Sequence, residues 1–413
     1  FYAWLIENKL YTLGETWYVA VGVFVVIAIV LSYSRAGIIS VAIVIAIFLF
    51  QKLKQKRIWK YLLLCSSLIL LLFGCYWMKK NSADGRLLIW QCGINMVKDA
   101  PWIGHGLGSF EAHYMDYQAN FFKQCGQSRF SMLADNVKQP FNEYLGLLLN
   151  FGIIGLLVLL LLMVIIIYCY RKNPSVEKQI AFYSLSSIGI FSFFSYPFAY
   201  PFVWVVTFLS IFIITSEYIK PLFSNILIKK IACMFILTYS LFGSSKLFER
   251  IQAELDWGKA STLALCKSYN ETLPTYERLE KMFVSNPYFL YNYAAVLQEM
   301  KQYTESLEVA LKCRQYWADY DLELIIGENY QQLNKPELAE KYYNSASMMC
   351  PSRFLPLYKL FHLYKTNGEK ERSLAMAEAV ISKPMKIKTT TIRMMKREME
   401  REIQKMNMSI KLE

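Results

Sequence analysis

The chain has 413 residues, 55% of them hydrophobic and only 19% charged, with a mean hydropathy of +0.26. Such a composition excludes a disordered, collagenous or ordinary soluble protein and places at least part of the chain in a bilayer. The +13 net charge is unevenly spread: residues 1–245 hold 20 Lys/Arg against 10 Asp/Glu, and residues 246–413 hold 25 against 22. The basic residues of the first part sit in short loops between apolar runs and form no continuous stripe, which argues against nucleic acid as a partner.

From the N-terminus, seven apolar stretches are long enough to consider as spans: Trp17–Tyr33, Gly37–Phe50, Tyr61–Trp77, Phe141–Tyr170, Ile180–Ser195, Phe202–Thr215 and Ile231–Phe242. A bilayer core of about 30 Å takes about 20 helical residues, so the shorter runs need tilt, packing or aromatic flanks. Tyr and Trp near their ends suit the two interfaces. Alternating sides puts the loops Gln51–Lys60, Arg171–Lys178 and Ser216–Lys230 on one face with 11 of the 20 basic residues, and that face is read as cytoplasmic. The opposite face receives the 79–140 loop and everything after Ser244. The chain starts at Phe1 without a methionine, so an upstream portion with further spans is expected.

The nine cysteines include no CxxC pair, so neither a zinc site nor a disulfide scaffold is indicated. Cys92 and Cys125 could pair in an oxidising compartment, but free thiols are the expected state.

A short linker over 246–262 precedes a change of pattern. From about Leu263, amphipathic helices recur at a spacing near 34 residues, aligning Ala294 with Gly327 and Phe361, and Ser306 with Ala339 and Ser373. Small residues at these places let paired helices approach closely. The string Asn334-Lys-Pro-Glu-Leu-Ala-Glu-Lys-Tyr-Tyr-Asn-Ser-Ala346 is similar to the second half of a tetratricopeptide repeat, and about three repeats fit 263–386. A charged helix, 387–413, closes the chain as a solvated cap. The fold class expected is all-α: a polytopic transmembrane helical bundle over 1–245, followed by a soluble α-solenoid of tetratricopeptide-like repeats. Such repeats are either a bare helical core or a surface for a protein partner.

Ionisable groups beside membrane spans are costly unless they work. Arg35, in Ser34-Arg-Ala-Gly37, is either an interface anchor or a functional cation. Arg86, in Asp84-Gly-Arg-Leu-Leu-Ile-Trp90, is either a salt-bridge partner of Asp84 or a second such cation. The loop Pro101-Trp-Ile-Gly-His-Gly-Leu-Gly-Ser-Phe110 carries Gly104, His105, Gly106 and Gly108; without a βαβ context it is no dinucleotide fingerprint, and its glycines suit a tight loop or close approach of the backbone to a ligand. Asn142-Glu-Tyr-Leu145 then opens the next span, followed by Gly152 and Gly155.

In this order, these motifs over residues 17–170 resemble the O-antigen ligase and O-antigen polymerase superfamily of bacterial membrane glycan transferases, some of which bear periplasmic tetratricopeptide extensions. The resemblance implies a multi-pass inner-membrane glycosyltransferase with its repeat domain in the periplasm. Its donor would be a polyprenyl-pyrophosphate-linked glycan, its acceptor a lipid or protein hydroxyl, and it would need no metal or other cofactor. Arg35 and Arg86 would grip the departing diphosphate, since a guanidinium binds two phosphate oxygens at once. Gly104, His105, Gly106, Gly108 and Asn142 would line the substrate. Ligases of the family carry a His just before Asn142; here the position is Phe141. Glu143 is the chosen substitute base, with Glu111, His105 and His113 as the other candidates. The Tyr196–Trp204 turn is either a wall for the lipid donor or an interface belt. Ligase, polymerase, polysaccharide transporter and non-catalytic membrane-anchored repeat scaffold all share the hydropathy pattern.

Overall fold

The computed structural model describes residues 22–25, 27–29, 31–52, 73–74, 76–77, 79–126, 128–219 and 226–410. Most of the expected span Tyr61–Trp77, the start of the expected span Trp17–Tyr33, and residues 53–60 and 220–225 of the basic loops lie outside these residues. Every long element described is a helix, in keeping with the all-α expectation. The chain divides into two compact units: 1–86, 97–106 and 139–235 form the first, and 87–96, 107–138 and 236–413 form the second.

The first unit is built on α1 (Arg35–Lys52), the two ends of α2 (Lys80–Asp99), α4 (Glu143–Lys172), α5 (Val176–Ser192) and α6 (Pro201–Ile219). Among the described residues, two helices, Glu143–Lys172 and Pro201–Tyr218, are long and apolar enough to cross a membrane, and Arg35–Ala46 is a shorter apolar helix. Helices α1, α4 and α5 begin where side chains satisfy their orphan amides: the Ser34 hydroxyl accepts from Gly37 N (3.2 Å), Asn142 Oδ1 from Leu145 N (3.0 Å), and Ser175 Oγ from Lys178 N (3.3 Å). A hydroxyl pair, Ser40 and Ser187 at 2.9 Å, joins α1 to α5.

The 30-residue α4 is not continuous, because Gly152 takes φ 62° and ψ −159° in its third turn. In an apolar medium the backbone groups freed by such a break need partners. The glycine loop supplies them: His105 N and Gly106 N donate to the Leu149 and Asn150 carbonyls (2.8 and 3.0 Å), while Ile153 N and Ile154 N donate to those of Pro101 and Trp102 (2.8 and 3.2 Å).

Helix α7 (Ile226–Leu265), which belongs to the second unit from residue 236 onward, runs through the stretch expected to be a linker. Residues 246–262 are helical because they carry helix-compatible pairs such as Arg250–Glu254 (2.9 Å) and small residues at core positions; Ala253 and Ala260 are buried in the repeat core, with Trp257 packed against it. After α8 (Tyr269–Leu279) come three helix pairs: α9 (Pro287–Glu299) with α10 (Tyr303–Arg314), α11 (Tyr320–Gln332) with α12 (Pro336–Met349), and α13 (Leu355–Thr366) with α14 (Lys370–Ser382). First helices start at 287, 320 and 355, so the repeat is 33 and then 35 residues. The register read from sequence holds: Ala294, Phe361, Ser306, Ala339 and Ser373 are fully buried, and a Cβ on Gly327 would meet the Tyr343 ring at 2.6 Å. The last helix, α15 (Thr390–Ile410), is more than a solvated cap, since Met399 is fully buried against Phe354, Phe361, Ala377 and Val380.

Helix α3 (Ser109–Cys125) and the strand-free stretch after it pack on these repeats, which sequence reasoning did not foresee. Arg314 bridges Asp116 of α3 and the buried Glu323 of α11, each at 2.5 Å. Gln118 Nε2 donates to the Met349 carbonyl (2.6 Å), Arg353 pairs with Asp135 (2.7 Å), and the Lys138 ammonium lies 4.3 Å from the Tyr288 ring centre. Both Cys92 and Cys125 are free thiols.

Candidate active site

The first turn of α2 gathers the cations. Arg35, the first residue of α1, donates from Nη2 to Ser82 Oγ (2.9 Å) and from Nη1 to the Lys79 carbonyl (3.2 Å). Arg86 stands four residues beyond Ser82, hence one turn along the same helix face. It is half-buried, and burial together with the charge of Arg35 pushes its pKa below the ordinary value. Two guanidinium groups, 51 positions apart in sequence (35 to 86), therefore feel one another at one helix end. Lys79 and Lys80 flank them; Lys79 Nζ donates to the Tyr33 carbonyl (3.2 Å), and Lys80 lies over the Trp77 ring (5.5 Å). Sequence reasoning missed these two lysines and Ser82, whose only signal was their place next to Arg86.

Arg86 is not the salt-bridge partner of Asp84. That carboxylate accepts from the Tyr76 hydroxyl (3.0 Å), while Arg86 Nη1 donates to the Phe194 carbonyl (2.6 Å) and its guanidinium lies 5.1 Å from the Phe141 ring centre. Phe141 in turn meets Tyr196 edge-on at 5.3 Å. The aromatic turn after α5 is thus tied to the site, and it is held by further bonds: Phe198 N donates to Glu143 Oε1 (3.0 Å), the Tyr144 hydroxyl to the Gly189 carbonyl (2.8 Å), and Trp204 Nε1 to the Phe198 carbonyl (2.7 Å).

Arg35, Arg86, Glu143, Asn142, Gly104, His105 and Gly106 all belong to the first unit, whereas Gly108 belongs to the second, where it caps α3. Asn142 serves as the α4 cap. Gly104 (φ +68°) leaves no room for a side chain, since a Cβ would lie 2.6 Å from the Asn150 backbone; Gly106 and Gly108 have open space there. Of the alternative bases, Glu111 is engaged in the second unit, its carboxylate accepting from Tyr288 (3.4 Å) and its carbonyl from Ala318 N (2.9 Å). Asp319-Tyr320-Asp321, whose spacing could suggest a metal pair, serves as a helix start, with Asp319 Oδ1 accepting from Asp321 N (2.8 Å) and Leu322 N (3.3 Å).

Residues 20–160 match the family model described as O-antigen ligase. No curated protein matches the chain. Among solved structures, the chain is similar to YrrB, titled a TPR protein with an unusual peptide-binding site (19% identity, TM-score 0.29), covering 31% of this chain and 66% of that one. It is also similar to the MamA protein (13% identity, TM-score 0.30), covering 37% of this chain and 89% of that one. The chain thus spans just under two thirds of the YrrB chain.

Proposed function

We propose that this chain, which carries an O-antigen ligase domain over residues 20–160 and helical repeats of the tetratricopeptide type after it, transfers a polyprenyl-pyrophosphate-linked glycan to an acceptor hydroxyl at the periplasmic face of a bacterial inner membrane, which it crosses several times. The observation that carries the reading is the meeting of Arg35 and Arg86 at the N-terminal end of α2. Two like charges held close, beside the positive end of a helix dipole, stabilise a bound anion, and the diphosphate leaving group is one. In the step proposed, the acceptor oxygen bonds to the anomeric carbon as the bond to the phosphate oxygen breaks. The electron pair stays on the diphosphate, and the hydroxyl proton passes to Glu143, whose Oε1 is held by Phe198 N. The acceptor is a lipid or protein hydroxyl. Preorganised donors aimed at the developing charge are commonly worth about 3 kcal/mol each, roughly a hundredfold in rate.

The test is surface-glycan assembly in a deletion strain. Arg35→Ala and Arg86→Ala should each abolish it, and Arg86→Lys should impair it because an ammonium lacks the bidentate fork. Full assembly with both alanine variants overturns the proposal. Phe141 in place of the ligases' His favours polymerase chemistry as a second reading; loss of long chains with single units still attached distinguishes it from ligation.

A further inference from the structure

The repeat domain holds a cavity of about 490 Å³ lined by Gln298, Glu299, Lys301, Tyr303, Glu328, Gln331, Gln332, Tyr358, Lys359 and His362, all within the second unit. None of the ten is aliphatic, so an apolar peptide side chain finds no complementary wall. Their formal charges balance, two carboxylates against two ammoniums, and Lys359 pairs with Glu328 at 2.5 Å, so neither an anion nor a cation is favoured.

Two of the amides are oriented by bonds on their far side. Gln298 spends its Nε2 on the Ile325 carbonyl (3.3 Å) and Asn329 Oδ1 (3.2 Å), which leaves Oε1 as an acceptor; Gln331 spends its Oε1 on the Tyr343 hydroxyl (2.8 Å), which leaves Nε2 as a donor. A fixed donor and a fixed acceptor lining one cavity suit groups that are both at once, which is the property of a hydroxyl. Tyr358 meets the His362 ring edge-on at 4.4 Å and hands its own hydroxyl to Glu398 (2.9 Å), so it offers the cavity its ring rather than its oxygen. Volume, neutrality, paired amides and aromatic rings together describe a site for a neutral, hydroxyl-rich ligand.

We propose that this cavity binds a saccharide segment of two or three sugar units; that the segment belongs to the glycan being transferred rests on the function proposed above. The repeats would then hold a growing or incoming chain by its sugars while chemistry occurs elsewhere.

The test uses the full chain in detergent micelles and, as probe, fluorescently tagged glycan released by mild acid from the lipid-linked pool of the host. The double variant Tyr303→Ala/Gln332→Ala removes a ring and an amide whose side chains make no hydrogen bond among the described residues, and its melting temperature serves as the check on folding. Saturable binding by the wild type, weakened at least tenfold in the double variant at unchanged melting temperature, supports the site. Absence of saturable binding, or equal binding by wild type and double variant, overturns it. Arg35→Ala separates the two ideas: if that variant still transfers glycan, the transfer mechanism fails whatever the cavity does, and if it loses transfer but binds the probe normally, the cavity stands as an independent site.

Discussion

The Arg86 guanidinium lies over the ring of Phe141, 5.1 Å from its centre, where the ligases that this chain resembles carry a histidine. Phe141 adopts φ 52°, a left-handed conformation that costs a bulky residue roughly 1–2 kcal/mol and persists only where surrounding structure enforces it. Burial and the neighbouring charge of Arg35 both disfavour the cationic form of Arg86. The electron-rich ring face opposes them, an interaction worth about 0.5–2 kcal/mol. The phenyl ring thus supports the charge of Arg86, one of the two arginines proposed to grip the diphosphate.

Phe141→Leu should therefore lower transfer about tenfold through loss of this support, and Phe141→Tyr should retain it. Initial rates in proteoliposomes decide. Equal rates for Leu and Phe would mean that the ring contributes nothing to Arg86.

The glycine loop makes a different kind of claim, about stability. A methyl group on Gly152 would fall on the Trp102 carbonyl, and one on Gly104 would lie 2.6 Å from the Asn150 backbone, both at positive φ. Neither neighbour is a flexible side chain, so the four hydrogen bonds between loop and broken span must shift. Gly104→Ala and Gly152→Ala should each destabilise the first unit by at least 2 kcal/mol, whereas Gly106→Ala, with open space around it, should cost only about 1 kcal/mol of backbone strain. Thermal unfolding in detergent ranks the three; if Gly106→Ala is the most damaging, the packing explanation fails.

What could be read in advance follows from the range of the interactions. Repeat register was legible because Ala294, Gly327 and Phe361 recur at a local spacing set by helix packing. Arg35 and Arg86 were legible because charge beside apolar runs is rare. The break at Gly152 was not, since a glycine in a helical run becomes a break only when a distant loop, here 101–106, takes over its hydrogen bonds. Nor was the docking of α3 on the repeats: Asp116 and Arg314 are 198 positions apart, and nothing near either one in sequence names the other.

Arg314 is one of the contacts that hold α3 to the repeats. Its guanidinium neutralises Glu323, whose side chain is only 2% exposed, and at the same time holds Asp116 of α3. Removing one partner of a buried pair strands the other charge, at a cost of about 3–5 kcal/mol. Arg314→Ala should unfold the repeats at lower temperature and speed amide exchange across 109–125. Arg314→Ala/Glu323→Gln should recover most of the stability without restoring protection of α3, because Asp116 still lacks its partner. If exchange in α3 is unchanged in both, the ion pair does not hold that helix to the repeats.

Asp319 gives the repeats a pH dependence whose sign is fixed by burial. The residue is 3% exposed, and desolvation, opposed by bonds from Asp321 N and Leu322 N, pushes its pKa from 3.8 up to about 6. A carboxyl raised on folding contributes stability that is fully present below its unfolded pKa and lost as pH rises through the folded value. The loss therefore falls between about pH 4 and pH 6 and amounts to about 3 kcal/mol, at roughly 1.4 kcal/mol per decade of proton concentration. Asp319→Asn keeps an oxygen to accept the two amides but carries no proton to lose. Burial also raises Glu111, Asp321 and Glu323, while Arg353 lowers Asp135, so the wild-type curve alone is a sum of opposed effects. The difference between wild type and Asp319→Asn isolates the one group: the variant should gain on the wild type as pH rises from 4 to 7 and the gain should level off above it. Melting curves of the two at pH 4, 5, 6 and 7 that stay parallel would show that Asp319 is already ionised in the folded chain, held by its two amide donors against the cost of burial.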